Sequence, residues 1–175
     1  MKHQQALNKA MTEAVDFVHA EGWDAPPTLF ALVPTHLLID ELVSLNSANP
    51  SSPLTLIVQE LPDNIRPGTQ ELAEYVSRLA WPAEVEGVIL AQEIIFRDSS
   101  EGAGAAPRPA RLFSGVLREE DVEQTLLQMR LSEEELEQRG LFAQDEVELR
   151  GGPNVAPGVI AALRYGLEQD PEELD

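Results

Sequence analysis

"VEGVILAQEIIFRDSSEGAGAAPRPARLFSGVLREEDVEQTLLQMRL", residues 85–131, holds three apolar runs with no helical stretch between them. "VEGVILAQEIIF" (85–96) is rich in isoleucine and valine and apolar at alternate and intervening positions. That pattern predicts a strand buried on both faces, central in a sheet. "ARLFSGVLR" (110–118) and "TLLQMRL" (125–131) read as two further strands. "EEDVE" (119–123) between them has the length of an antiparallel hairpin connection. "RDSSEGAGAAPRP" (97–109) reads as a loop by its glycine, serine and proline content. Strict strand–helix alternation is therefore absent after residue 85, and the sheet should be largely antiparallel.

Working outward, residues 4–20 predict a helix, with Leu7, Met11, Ala14, Val15 and Val18 as its apolar stripe. Gly22 suits the left-handed position that ends a helix. In "GWDAPPTLFALVPT" (22–35), Pro26-Pro27 forces an extended approach, and "TLFALV" (28–33) is a short buried strand. Pro34-Thr35 starts a helix lined by Leu38, Leu42 and Leu45. "LTLIVQEL" (54–61) is the next strand. Thr69 is an N-cap, with Leu72, Val76 and Leu79 behind it and Trp81-Pro82 closing that helix. Ser132 and Glu135 form a capping box for a short helix. "EVELR" (146–150) is an edge strand, and residues 155–168 are a last helix. The reading is α+β: a single sheet of about five strands with helices packed mainly on one face. Residues 1–168 form one domain, and 169–175 are an acidic tail.

The chain has 175 residues, 43% of them hydrophobic, enough to build a core without metal or disulfide help. It has no cysteine, which removes disulfides, zinc–thiolate centres and cysteine nucleophiles. The net charge is −19, and the two lysines both lie in the first ten residues. Such a surface repels nucleic acid and anionic membranes and suits a basic partner or a cation. No apolar stretch reaches the ~18 residues of a membrane span, and no secretory pattern opens the chain. The expectation is a soluble cytoplasmic protein.

Motifs for catalysis are missing. There is no GxSxG elbow, and "GAGAAP" (102–107) has no lysine or threonine to make it a phosphate loop. His36 and Asp40 stand one helical turn apart, but no third metal ligand accompanies them. Neither a catalytic residue, a metal site nor a cofactor is expected. The polar residues that invite attention are Glu60 and Glu93, each inside an apolar strand and each following a glutamine. A carboxylate on a central strand needs solvent or a partner. Arg111, Arg118 and Arg130 lie on other predicted strands and could meet them in bidentate pairs across the sheet. Glu60, Glu93, Arg111, Arg118 and Arg130 are thus the candidate binding residues. They would form either a polar pocket for a small molecule or an ion-pair network that only braces the sheet.

Five segments also carry a resemblance: "GWDAPPTLFALVPT" (22–35), "LIVQELP" (56–62), "AWPAEVEGVILAQE" (80–93), "GVLREEDVEQTLLQMRL" (115–131) and "NVAPGVIAAL" (154–163). They resemble a family of small uncharacterised actinobacterial proteins. The resemblance implies a cytoplasmic bacterial protein and transfers no catalytic residue or cofactor. It departs from that family at Leu117-Arg118-Glu119-Glu120, where an "LRDG" turn is usual. It departs again at Leu127-Gln128-Met129-Arg130, where the family strand carries more arginine. In type alone, size and acidity are similar to those of bacterial secretion chaperones. The expected function is a non-catalytic accessory protein that binds another protein, with a homodimer as one form. The alternative is a small-molecule binder or enzyme using the glutamate–arginine residues.

Overall fold

The computed structural model describes residues 2–35, 53–59, 61, 65, 69–79, 81–82, 84–96, 108–118, 122–129, 137–138, 149–151 and 157–168. Three long helices and six strands emerge: α1 (Lys2–Glu21), β1 (Thr28–Pro34), β2 (Leu54–Gln59), α2 (Gln70–Arg78), β3 (Gly87–Phe96), β4 (Arg108–Leu117), β5 (Glu123–Met129), β6 (Leu149–Gly151) and α3 (Pro157–Glu168). The strands form one sheet in the order β2-β1-β3-β4-β5-β6. Every neighbouring pair is antiparallel. The protein is α+β, as the strand run after residue 85 requires.

Burial explains the order. β3 and β4 share ten register pairs, from Gly87–Leu117 to Phe96–Arg108, and stand at the centre. Their side chains alternate between two apolar layers. Ile89, Ala91 and Phe113 face α1, together with Phe30 and Leu32 of β1. Val88, Leu90 and Val116 face the other way, beneath Leu72 and Val76 of α2 and Ile160, Leu163 and Leu167 of α3. Two of the three described helices, α2 and α3, thus share one face of the sheet, as expected, and α1 covers the opposite face. A helix stripe reports which side of the helix is buried, not which face of the sheet receives it.

Two close approaches fix the helices. α1 crosses β4 at Gly115, where an added Cβ would stand 2.6 Å from the Met11 sulfur. α3 meets the end of α2 at Gly166, where an added Cβ would stand 2.8 Å from the Val76 carbonyl oxygen. Thr69 caps α2 as expected, its hydroxyl accepting the Leu72 N–H at 3.3 Å. β4 starts two residues earlier than its apolar run, because Pro109 pairs with Ile95 and Arg108 with Phe96. A proline is tolerated at the beginning of a strand, where a missing N–H costs least. The helix expected after Thr35, the capping box at Ser132 and the acidic tail at 169–175 lie outside the described residues. None of the described helices is long and apolar enough to cross a membrane.

Candidate functional site

The register places Glu93 directly across from Arg111, and Arg111 directly across from Gln128. All three side chains project to the α1 face, beyond the apolar layer that α1 covers. Arg111 is 1% exposed, among the most buried large side chains. Its guanidinium donates to Gln128 Oε1 at 3.0 Å and to the Gly22 carbonyl. Its Cζ stands 4.0 Å from the centre of the Trp23 ring, a cation–π contact. Gln128 in turn meets His19 Nδ1 at 3.0 Å. Glu93 accepts the Ala25 N–H at 2.8 Å.

These contacts converge on one place, the corner between α1 and β1. Gly22 closes α1 with φ 90°, its N–H bonding the His19 carbonyl at 3.2 Å, and Asp24 also has a positive φ, 67°. Two residues in the left-handed region turn the chain sharply and leave its peptide groups off any helix or strand ladder. Arg111 and Glu93 take up two of those groups, Gly22 C=O and Ala25 N–H. Glu93 and Arg111 are thus brought together, but around main chain rather than around an open pocket.

Arg118 is not part of this cluster. It lies seven residues on, just past the end of β4, about 23 Å away at strand rise. There it bonds the carbonyls of Val85 at 2.6 Å, Trp81 at 3.1 Å, Pro82 at 2.9 Å and Leu167. It ties the turn before β3 to the end of α3. Glu60 and Arg130, the remaining candidates, lie outside the described residues, as do His36 and Asp40. Trp23 beside a helix-ending glycine signals a residue that packs this corner, but nothing in the sequence points to His19 and Gln128, because their meeting depends on strand register and on the face that α1 takes.

On the opposite face, Gln92 is 5% exposed, next to Glu93 in the chain but pointing the other way. It borders a cavity of about 180 Å³ between the sheet, α2 and α3. On β4, opposite Leu90, the buried Ser114 hydroxyl has no hydrogen-bond partner among the described residues.

The geometry defines a small α+β protein whose conspicuous charged side chains brace its own main chain. A family model described as PPA1309-like protein matches residues 7–168, and the chain belongs to that family. No curated protein and no solved structure matches the chain.

Proposed function

We propose that this chain is a non-catalytic accessory protein, cytoplasmic and of actinobacterial origin, that acts by binding another protein along the outer edge of β2. One observation carries this reading. β2, "LTLIVQ", is an edge strand whose outer side meets no strand among the described residues. Soluble proteins guard such edges with lysine, proline or a bulge. Residues 54–59 contain no charge, no proline and no glycine, in a chain with 12 basic and 31 acidic residues. Ile57 and Val58 are 38% and 49% exposed, one on each face of the strand. Val58 sits opposite Phe30, on whose ring the exposed Phe17 packs edge-on at 5.6 Å.

An extended segment of a partner can join such an edge through main-chain hydrogen bonds, with Ile57 and Val58 reading its side chains. The acidic balance of the rest of the chain favours a basic partner and speeds its approach. The alternative, a glutamate–arginine pocket for a small molecule, gains no support from Glu93 and Arg111, whose bonds run to Ala25, Gly22 and Gln128.

The absence of cysteine makes the test clean. Single variants Ile57→Cys, Val58→Cys and Glu71→Cys are labelled with a thiol-linked photocrosslinker and irradiated in cell extract. A defined adduct from positions 57 and 58 but not from 71, on the exposed surface of α2, is the expected result. No adduct, or the same adducts from all three, overturns the reading. An adduct of twice the chain mass identifies the partner as a second copy.

A further inference from the structure

We propose that the occupant of the β2 edge is a short basic segment of another protein, added as an antiparallel strand with an apolar side chain seated on Val58 and Phe17. This inference rests on the β2 edge being the docking surface. The hydrogen-bond phase of the sheet decides which groups of β2 look outward. In an antiparallel pair, bonded and non-bonded residue pairs alternate. The Thr35 N–H donates to the Pro53 carbonyl at 3.0 Å, while the Leu32 carbonyl turns away from β2 to accept the Glu86 N–H at 2.8 Å. The bonded pairs with β1 therefore fall at Thr55, Ile57 and Gln59. Leu56 and Val58 turn their N–H and C=O groups to the outer side. A strand laid there exchanges main-chain bonds with these two residues. Antiparallel addition continues the arrangement of every other pair in the sheet.

Side chains set the chemistry of the occupant. A residue opposite Val58 falls on the α1 face, because paired residues share a face of the sheet. There Val58 is 49% exposed, and the Phe17 ring, 42% exposed, packs on Phe30, the partner of Val58 in β1. Together they make an apolar seat. One helical turn past Phe17, on the same side of α1, the exposed Glu21 ends the helix. A lysine or arginine two positions from the seated residue, on the same face, approaches that carboxylate. The net charge of −19 attracts a basic segment from further off and repels a second copy of this chain. Charge complementarity thus favours a basic partner over self-pairing.

The peptides TVTVTKT and TVTVTET, with capped ends, serve as probes, titrated into the full chain and followed by amide NMR. The lysine peptide should give saturable shifts at Leu56 and Val58. It should bind at least about tenfold tighter than the glutamate peptide at about 0.01 M salt, a ratio that shrinks at about 0.2 M. Glu21→Lys should cut that ratio by about threefold or more. An N-methyl group on either valine amide points at β2 and should weaken the lysine peptide by at least about tenfold. On either middle threonine it points away and should change binding by less than about threefold. Equal affinity for the two peptides, with the N-methyl pattern kept, overturns the basic occupant and leaves the β2 edge as a docking surface. Equal effects at valine and threonine overturn strand addition at Leu56 and Val58. Absence of saturable shifts from a monomeric chain overturns the docking surface as well. From a chain that sediments as a dimer, it assigns the edge to a second copy and overturns only the basic occupant.

Discussion

Arg111 donates to Gln128, and an arginine can only donate, so the amide oxygen must face it. The amide nitrogen of Gln128 is then left to face His19 Nδ1, which has to accept. The chain of bonds makes Nδ1 the acceptor and places the ring hydrogen on Nε2. Long-range nitrogen–proton NMR of the imidazole should show Nδ1 as the bare nitrogen, and a proton on Nδ1 would break the argument. Replacing Arg111 by methionine keeps most of the volume but leaves the Gln128 oxygen and the Gly22 carbonyl without this donor. Each buried group so deprived costs ~1–3 kcal/mol, and a loss of about 3 kcal/mol in urea unfolding is expected. A loss below about 1 kcal/mol would show that the corner holds without its arginine. At this scale the sequence was half legible. Glu93 and Arg111 stand out because a charge inside an apolar strand needs a partner. Their use could not be read, because the partner is the backbone of a turn over eighty residues away for Arg111.

Among the elements, α1 and β4 meet with no space for a side chain at Gly115. A Cβ there would lie 2.6 Å from the Met11 sulfur, 3.2 Å from a Leu7 methyl and 3.3 Å from Ile89. Gly115→Ala should cost about 1–3 kcal/mol by overpacking, measured by chemical unfolding. Met11→Ala should recover part of that loss when combined with it, so the pair is less than additive. Full additivity would mean that α1 does not rest on this glycine. Gly87→Ala should cost more, because its Cβ would strike the Val116 carbonyl oxygen, which cannot move aside as a methionine end can. The strands themselves were plain in the sequence. "TLFALV", "LTLIVQ", "GVILAQEIIF" and "TLLQM" are apolar runs of strand length between turn residues. What composition could not supply was their order. β2 and β3 both pair with β1, so the connection through α2 must pass over β1, and nothing in either run encodes that neighbour.

For the molecule as a whole, a charge of −19 works against compactness. Exposed carboxylates repel one another over distances comparable with the ~10 Å screening length at 0.1 M salt. Raising sodium chloride from about 0.01 to about 0.2 M should therefore raise the melting temperature by about 2–4 °C, near 1 kcal/mol for a chain of this size. A flat or falling melting temperature would mean that local ion pairs outweigh the general repulsion. Surface ion pairs such as Arg78–Glu74 and Arg164–Glu123 are exposed on at least one side and carry little weight against it. One feature also sets the order in which the molecule can be made. α1 leaves the ribosome before any strand, yet Gln4 bonds the Glu123 carbonyl 119 residues on, and Gln124 reaches back 116 residues to Asn8. At ~5–20 residues per second, the greasy side of that helix waits roughly 6–24 s for β5 to be translated. During that interval the nascent chain offers Leu7, Met11 and Val15 to whatever stands at the exit tunnel, and its first helix is among the last to find its seat.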